Sequence, residues 1–394
     1  MTRAFGNYDV IVLGAGAAGL MCALTAGQRG RKVLLLEHTD KAGGKILISG
    51  GGRCNFTNLD CAPERFLSAN PHFCRSALKR YTQSDFIALV RRHNIPFHEK
   101  TLGQLFCDGS ARAIVAMLLD ECAAANVDIR LGVNVKSVSR GPSFTVACAS
   151  GDATASSLVL ATGGLSIPKM GATGFSYQLA AQFGMAVTQT LPGLVPLKAD
   201  AESAAFFASL AGVSLEAIAS YRDTRFRENI LFTHRGLSGP AILQISSYWC
   251  QGEAVTLDLV PNLELGFLLS AKRARPKASL QSVLADILPA RLAQALAHDH
   301  HVAKDMANIP DRTCTDIESL LKAWSFAPQS SEGYAKAEVT VGGIDTRELS
   351  SKTMEARRVP GLFAIGEAVD VTGWLGGYNF QWAWSSGWCA GQAV

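Results

Sequence analysis

The sequence has no C-x-x-C pair, although its 394 residues include ten cysteines. Cysteine-rich zinc sites and thioredoxin-type redox centres both need closely spaced cysteines, so neither kind of site is predicted. The chain also lacks a strong excess of charge, since 37 Lys and Arg residues stand against 33 Asp and Glu residues, for a net charge of +4. That balance does not indicate a nucleic-acid-binding protein by itself, but it leaves room for a local basic patch.

Low-complexity tracts, internal repeats and uninterrupted apolar runs are also absent. With 18% charged and 48% hydrophobic residues, the composition excludes a disordered chain or a coiled coil and favours roughly two or three globular domains. The longest uncharged apolar stretch, residues 10–28, is interrupted by four glycines, so we predict no membrane span. No secretory signal precedes the first motif, and unpaired cysteines suit a reducing compartment, so we expect a cytoplasmic protein.

The first motif is a glycine-rich turn between a predicted strand and a predicted helix. Residues 9–14 are apolar and branched, and residues 33–36 form a second apolar run that ends at Glu37. In this G-x-G-x-x-G turn, Gly14 permits the tight turn, Gly16 lets a pyrophosphate approach the backbone, and Gly19 lets the helix pack closely. Glu37 is placed to accept hydrogen bonds from ribose hydroxyls and would repel a 2′-phosphate. The motif therefore predicts a dinucleotide other than NADP, bound at the helix N-terminus, and leaves NAD and FAD as alternatives.

Two later segments, residues 158–164 and 361–367, are predicted strands that end in small-residue turns. After them, residues 376–379 open a final helix whose positive end can face negative charge on a flavin ring. A second G-x-G-x-x-G is absent from the sequence. No separate nicotinamide site is therefore predicted.

Six motifs in chain order resemble the BaiN/RdsA (YhiN-like) family of bacterial flavoproteins. They are residues 14–19, 43–58, 161–169, 232–240, 337–343 and 366–387. The resemblance implies non-covalent FAD rather than NAD. It also implies an α/β fold, in which a Rossmann-like FAD-binding domain of the glutathione-reductase type carries an inserted β-rich domain with its own helical subdomain. The sequence departs from the family pattern at Cys107, which stands where proline is usual.

The resemblance and the apolar pattern together predict the domain limits. We expect the FAD-binding domain to comprise residues 1–190 and 341–394. The inserted β-rich substrate domain would comprise residues 191–262 and 325–340, and the helical subdomain residues 263–324. Within the insertion, the predicted strands are residues 195–198, 229–233, 254–260 and 335–341.

We expect the residues that bind FAD to lie in the turns that follow the strands of the first domain. The resemblance implies the following set: Gly14, Gly16, Ala17, Ala18, Gly19, Glu37, His38, Gly44, Lys45, Gly52, Arg53, Asn55, Val135, Ala161, Thr162, Gly163, Gly366, Glu367, Gly376, Gly377, Tyr378, Asn379 and Phe380.

Hydride transfer from a flavin needs no protein nucleophile, so the protein must orient the substrate and supply a proton. Arg53 and Asn55 follow three consecutive glycines and are candidates either for contact with flavin and substrate or for ordering the loop. His234 is a candidate general acid or a turn-ordering residue. Cys54 is a possible thiol acid, although we favour an inert buried thiol.

Two further clusters have plain interpretations beside functional ones. The histidine-rich residues 298–301 resemble a metal site on paper, but adjacent side chains point in different directions, so we expect a solvated end and no metal. Basic residues cluster at residues 75–92 and 272–277. Each basic cluster is either a solvated surface or a binding site for an RNA phosphate backbone.

Members of the resembled family have different activities, so several functions stay open. The first hypothesis is a reductase of an activated C=C bond that uses NAD(P)H as a transient reductant, with uridine of ribosomal RNA as substrate and dihydrouridine as product. The alternatives are a reductase of small enones, an oxidase of small amines such as aminoacetone, and a non-catalytic flavin-binding module. The sequence does not predict an oligomeric state.

Overall fold

The computed structural model describes residues 5–299 and 305–394, which divide into two compact units. The first unit runs up to Leu191 and resumes from Val339 to Val394, and the second unit is the segment Pro192–Glu338. The predicted α/β fold with an inserted β-rich region is confirmed. The predicted limits of independently folding domains, and of a separate helical subdomain, stay predictions.

The main sheet of the first unit has a parallel core. Residues 10–13 of its central strand are almost completely buried, as expected for an apolar run covered on both faces. Seven strands form this sheet, in the order Asp128–Arg130, Val33–Leu36, Asn7–Leu13, Gly151–Leu160, Phe144–Cys148 and Val135–Arg140, with Leu362–Ala364 paired in parallel to Gly151–Leu160. The last two strands of that order are antiparallel.

Smaller sheets and the helices complete the first unit. A three-stranded sheet consists of Asn55–Asn58, Gln104–Cys107 and Phe97–Glu99, and a two-stranded one of Phe66–Leu67 and Thr372–Gly373. Strands Leu191–Gly193 and Val339–Val341 lie at the two points in the sequence where the chain passes from one unit to the other. The α-helices are Ala17–Gln28, Gly44–Gly52, Cys74–Arg80, Gln83–Arg92, Arg112–Ala124, Phe175–Gln182 and Tyr378–Gly391, and the short 3-10 turns are Pro63–Arg65, Pro168–Met170, Thr346–Glu348 and Gly366–Ala368.

The last helix, Tyr378–Gly391, is called the closing helix. It packs along the first helix, and a Cβ atom on Gly387 would lie 2.5 Å from the Ala18 carbonyl oxygen. On its other side, Trp384 stacks on Phe86 with ring centroids 4.3 Å apart. The end of the chain is therefore part of the core that carries the first strand and helix.

The second unit is built on an antiparallel sheet. Its strands follow the order Trp324–Phe326, Val255–Asp258, Ser214–Tyr221, Thr224–Thr233, Gly236–Ser238, Leu197–Lys198 and Ser330–Ser331. Its helices are Ala204–Ser209, Pro240–Ser246, Phe267–Ala274, Leu280–Ala285, Ala290–Asp299 and Asp311–Lys322, with a 3-10 turn at Met306–Asn308. The predicted strand over residues 335–341 was too long, since only Val339–Val341 is extended.

No helix among the described residues is both long enough and apolar enough to cross a membrane.

Two buried carboxyl groups of the first unit have opposite effects on stability. Burial and the nearby charge of Asp345 raise the pKa of Asp370, which accepts a hydrogen bond from the Ala69 N–H. Arg347 lowers the pKa of Asp345, whose carboxylate accepts hydrogen bonds from the Arg347 backbone and guanidinium groups. A raised carboxyl pKa favours the folded state in acid, and a lowered one favours it at neutral pH.

We therefore expect opposite results from two asparagine substitutions. Asp370→Asn raises the free energy of unfolding at pH 7, because it removes a desolvated charge, and this gain disappears as the pH falls through the usual carboxyl range. Asp345→Asn lowers stability at pH 7, and most of this deficit persists at pH 4, because the lowered pKa keeps the folded-state carboxylate ionised there. The deficit shrinks only at lower pH, where that carboxylate becomes protonated. Urea unfolding of both variants at pH 7, at pH 4 and at about pH 2.5 measures this, and equal pH dependences would contradict it.

Candidate nucleotide and flavin site

The turn at residues 14–19, called the phosphate turn, is packed tightly at both ends. The Gly14 N–H donates to the Leu36 carbonyl at 2.7 Å, and a Cβ atom on Gly14 would lie 2.5 Å from the Ala161 carbonyl oxygen. A Cβ atom on Gly19 would overlap the Gly14 carbonyl oxygen. The first and third glycines are therefore required by contacts within the protein.

The middle of the phosphate turn is open. A Cβ atom on Gly16 would meet no described atom within 4 Å. Gly16 and Ala17 are partly exposed between the buried residues Ala15 and Ala18. The N–H groups of the first helical turn have no partners within the helix and carry its positive dipole end. The open position is thus where an anionic group can approach the backbone.

Glu37 lies beside this turn, at the end of the second strand. Its carboxylate accepts hydrogen bonds from the Ala15 N–H at 2.8 Å and from the Thr39 N–H at 2.9 Å. The His38 ring contacts it as well, with Nδ1 2.9 Å from Oε1. The Thr39 hydroxyl also donates to Oε1 at 2.9 Å, so three groups contact that oxygen. Among the described residues Oε2 accepts only from the Ala15 N–H, and a carboxylate oxygen has two acceptor positions, so Oε2 can still accept from a ribose hydroxyl.

The segment of residues 50–54, called the glycine segment, follows a short helical stretch that the sequence analysis missed. Helix Gly44–Gly52 is interrupted at Ser49, where ψ is 148°. Gly50, Gly51 and Gly52 then have φ values of 57°, 66° and 84°, a left-handed conformation that glycine adopts most easily. Three successive left-handed residues bring the backbone to the surface without side chains.

Hydrogen bonds fix this segment to its neighbours. The Gly52 carbonyl accepts from the Ala111 N–H at 2.8 Å, and the Arg53 carbonyl accepts from the Cys107 N–H at 3.1 Å. A proline at position 107 could not donate the second bond. Because Cys107 stands where proline is usual, strand Gln104–Cys107 has one more hydrogen bond to the glycine segment.

The side chains that follow the three glycines differ in their surroundings. Cys54 is completely buried, and burial raises the pKa of its thiol to about 12, so it is protonated at neutral pH. Asn55, with its amide nitrogen facing acceptors, donates to the Thr57 and Leu105 carbonyls at 3.2 Å. Arg53 is exposed and forms no hydrogen bond or ion pair with the described residues through its guanidinium. Arg53 is thus the available cation of this segment.

Lys45 and Glu367 form an ion pair between two of the predicted motifs. The Lys45 ammonium lies 2.5 Å from the Glu367 carboxylate and donates to the Ser166 hydroxyl. The other Glu367 oxygen accepts from the Ser166 hydroxyl at 2.8 Å and from the Thr340 N–H at 3.0 Å. This carboxylate is satisfied within the protein, whereas the Lys45 side chain is about one-third exposed.

The turn before the closing helix lies against strand Asn55–Asn58, which follows the glycine segment. Gly376 and Gly377 have φ values of 115° and 98°, and the Gly376 carbonyl accepts from the Asn58 side chain at 2.9 Å. Asn379 is used locally, since its side chain bonds both the N–H and the carbonyl of Gly373 at 2.8 Å. The N-terminus of the closing helix therefore points at the same region as Asn55.

The remaining predicted residues of the first unit lie after parallel strands, at the start of an edge strand or in the closing helix. Ala161, Thr162 and Gly163 follow strand Gly151–Leu160, and Gly366 follows Leu362–Ala364. Val135 begins the edge strand Val135–Arg140. Tyr378 is buried, and Phe380 stacks on Trp384.

These features fit the two halves of an FAD molecule. The open position at Gly16 and the Glu37 carboxylate suit a pyrophosphate and a ribose. The side-chain-free glycine segment and the closing-helix N-terminus suit a flat ring that accumulates negative charge on reduction.

Residues 8–393 match the family described as "HI0933-like protein Rossmann domain". The chain belongs to this family. It is 53% identical over 392 residues to a ribosomal RNA dihydrouridine synthase of Escherichia coli strain K12, covering 98% of each chain. It is 29% identical over 404 residues to a 3-dehydro-bile acid delta(4,6)-reductase of Clostridium scindens, covering 97% of this chain and 98% of the relative.

Among solved structures, the fold is similar to that of a 3-ketosteroid-delta4-(5alpha)-dehydrogenase from Rhodococcus jostii RHA1. The TM-score is 0.51 at 15% identity, with 99% of this chain and 98% of the other covered. The predicted family and its class, Rossmann-type flavoprotein oxidoreductases, are thereby confirmed.

Sequence reasoning missed three polar residues of this HI0933-like site. Ser166 and Thr340 hold Glu367, and both lie inside recognised motifs, so the motif positions were the available signal. Gln381 is completely buried; its side chain accepts from the Thr57 hydroxyl at 2.7 Å and donates to the Tyr81 carbonyl at 3.2 Å. A glutamine between the aromatic residues Phe380 and Trp382 of this helix was the signal for this link.

His234 belongs to the second unit of the HI0933-like chain. It follows strand Thr224–Thr233 in an exposed turn, in which the Thr233 hydroxyl accepts from the Arg235 N–H at 3.2 Å. Both predicted roles, general acid and turn residue, stay predictions. Of the histidine cluster, His298 lies in helix Ala290–Asp299, while His300 and His301 lie outside the described residues.

The basic cluster at residues 272–277 is partly neutralised. The Lys272 ammonium lies 2.7 Å from the Asp311 carboxylate and donates to the Ile309 carbonyl. Arg275 pairs with Asp286. Two of the four cations thus hold the second unit together, which weakens the interpretation of this cluster as a phosphate-binding surface.

Proposed function

We propose that this chain is an FAD-dependent reductase that converts uridine of ribosomal RNA to dihydrouridine. The observation that carries the proposal is the 53% identity, over 98% of both chains, to an RNA dihydrouridine synthase. The phosphate turn and the glycine segment support it, because they suit the cofactor that such a reduction needs. An RNA substrate of the ribosome would place the protein in the cytoplasm.

FAD, when bound, would supply a hydride, and uridine would gain that hydride and a proton across its C5=C6 bond. NADH or NADPH would provide the two electrons. Since the sequence has no second dinucleotide turn, this reductant would bind only transiently.

The chain's own residues have distinct proposed roles. The phosphate turn, with the N–H groups of Ala17 and Ala18, binds the pyrophosphate, and Glu37 accepts from the ribose. Arg53 orients the uracil oxygens because its guanidinium is exposed beside the glycine segment. Asn55 fixes the start of strand Asn55–Asn58, which follows Arg53. Lys45, which is paired with Glu367, and His234 are the candidate holders of the proton.

The first test is anaerobic. The holoprotein is reduced with NADH or NADPH and then mixed with ribosomal RNA that lacks dihydrouridine. We expect the oxidised flavin spectrum to return and dihydrouridine to appear in the RNA, whereas RNA that already carries dihydrouridine leaves the flavin reduced. No response to unmodified RNA, with rapid reoxidation and peroxide release in air, would contradict the proposal and support an oxidase.

A second candidate function is reduction of a small enone, which is favoured by the 29% identity to a bile acid reductase. It predicts that an enone stimulates NAD(P)H oxidation while ribosomal RNA has no effect. The same reduced protein, mixed with a 3-oxo-4-ene steroid in place of RNA, distinguishes the two substrates.

A further inference from the structure

A strained leucine lies at the tip of the hairpin formed by Phe97–Glu99 and Gln104–Cys107. Leu102 has φ 51°, and its side chain is 63% exposed. The left-handed conformation costs a leucine about 1 kcal/mol, and an exposed leucine gains no burial in return. It is the only described non-glycine residue with positive φ that exposes a large apolar side chain. Leu102 and Gly103 both have positive φ and occupy the centre of the hairpin turn, which the Gln104 N–H closes by donating to the Thr101 carbonyl at 3.0 Å. Such turn positions favour Gly, Asn or Asp, so the turn explains the backbone conformation but not the choice of an exposed leucine.

The tip is held rigidly, so the leucine is presented in one position. The Leu102 carbonyl accepts from the Asn58 side chain at 3.0 Å, and the Gly103 N–H donates to the Glu99 carboxylate at 3.1 Å. The same Asn58 amide donates to the Gly376 carbonyl, which precedes the closing helix. One buried asparagine therefore connects the tip to the turn that faces the proposed flavin position.

Two positively charged side chains pack on aromatic rings of the hairpin that carries Leu102. Lys100 lies over the Phe106 ring, and Arg91 over the Phe97 ring, with distances of 5.3 and 5.7 Å to the ring centroids. Both cations are exposed, and no carboxylate of the described residues lies within ion-pair distance of either.

The two acids of the hairpin are already engaged. Glu99 accepts from Gly103, and Asp108 contacts His98 Nδ1 at 2.6 Å. The surface around Leu102 thus combines an exposed apolar side chain with two cations that form no ion pair. The apolar side chain can contact stacked bases, and the cations can contact the phosphates of a nucleic acid.

An enzyme that modifies a base inside structured RNA must first take that base out of the stack. Apolar side chains inserted between bases stabilise such an opened stack. We propose that Leu102 is a wedge that fills the gap left by the extruded uridine, and that Lys100 and Arg91 bind the flanking phosphates. This inference rests on the RNA substrate of the proposed function and names the element that opens the RNA.

The wedge is tested with two RNA substrates, a folded ribosomal fragment and a short unstructured oligonucleotide containing the same uridine. We expect Leu102→Ala to lower kcat/KM for the folded fragment by at least about tenfold, because unstacking costs a few kcal/mol. The kcat/KM for the unstructured oligonucleotide should change less than about twofold, because its uridine needs little unstacking. Leu102→Met keeps a large apolar side chain and should therefore retain the wild-type activity on the folded fragment.

Two variants separate this effect from a structural one. Leu102→Gly relaxes the backbone but removes the wedge, so it should lose the same activity while unfolding no more easily than the wild type. Leu265→Ala changes another leucine that is 68% exposed, in the second unit, and should behave as the wild type. With 2-aminopurine next to the target uridine, the wild type should raise the fluorescence and Leu102→Ala should not.

The outcomes are distinguishable. A wild type that forms dihydrouridine in the folded fragment while Leu102→Ala matches both it and Leu265→Ala would overturn the wedge and leave the proposed function intact. A wild type that modifies neither RNA would overturn the proposed function, and the wedge with it.

The phosphate contacts have their own measurement, the dependence of RNA affinity on salt. Neutralising Lys100 and Arg91 together should reduce the slope of log affinity against log salt by roughly 1.5, at about 0.7–0.9 per contact. Arg225→Gln, which removes an exposed arginine from strand Thr224–Thr233, should leave the slope unchanged. Equal slopes for the double variant and the wild type would overturn these contacts.

Discussion

Replacing Gly16 with valine is expected to leave the first unit folded and to remove FAD. An added Cβ atom at this position meets no described protein atom within 4 Å, and the φ of −79° suits any residue. The apoprotein should therefore lose only the preference of a helix N-cap for glycine over valine, about 1 kcal/mol. The same side chain would occupy the space proposed for the pyrophosphate. We expect FAD affinity to fall by at least about 100-fold, which corresponds to about 2.7 kcal/mol.

Two measurements on purified protein check this expectation. The flavin absorbance per chain reports bound FAD, and urea unfolding of the apoprotein reports stability. Gly109→Val is the matched control, since Gly109 also has open space around it and no left-handed backbone. A Gly16→Val variant that keeps one FAD per chain would refute the assignment of the phosphate turn.

Gly377→Ala is expected to be the most destabilising of the single substitutions considered. The residue has φ 98°, which disfavours alanine, and a Cβ atom would also overlap the Thr57 carbonyl oxygen. The two nearest atoms, the Thr57 carbonyl oxygen and carbon, belong to the backbone, so they cannot move aside without shifting strand Asn55–Asn58 or the closing helix. We expect a loss of more than about 4 kcal/mol in the free energy of unfolding, together with loss of FAD.

Gly30→Ala isolates the conformational part of that cost. Gly30 has φ 78° but open space around it, so its substitution should cost only about 1 kcal/mol. Urea unfolding midpoints of the two variants measure the difference. Similar midpoints would mean that the turn before the closing helix tolerates displacement, contrary to its tight packing.

The strand, turn and helix that carry the proposed nucleotide site were predictable because their signals are local. Residues 10–13 of the first strand and the whole of strand Val33–Leu36 are continuous apolar runs, and the turn between them and the acid after them follow a fixed spacing. Each of these features depends on residues within about one βαβ unit, where backbone requirements determine residue type. The closing helix was predictable for the same reason, from its glycine pair.

The parts that were missed depend on partners distant in sequence. The start of helix Gly44–Gly52 was hidden because glycine disfavours helix, yet packing holds it. Trp324, assigned to the helical segment, lies in a strand and stacks on Phe207 and Phe232. Lys272 was counted as a free cation because its partner, Asp311, is 39 residues away. The structure around each of these residues depends on partners that are distant in sequence, and a short stretch of sequence does not contain those partners.

The placement of the closing helix has a consequence for synthesis on the ribosome. The first strand and helix emerge early, but the helix that packs against them is encoded at the end of the chain, after the second unit's approximately 150 residues. At about 5–20 residues per second, the nascent first unit waits many seconds with its apolar helix face uncovered. The second unit is contiguous and is synthesised during that interval, and a site able to retain FAD forms only once the closing helix has been made.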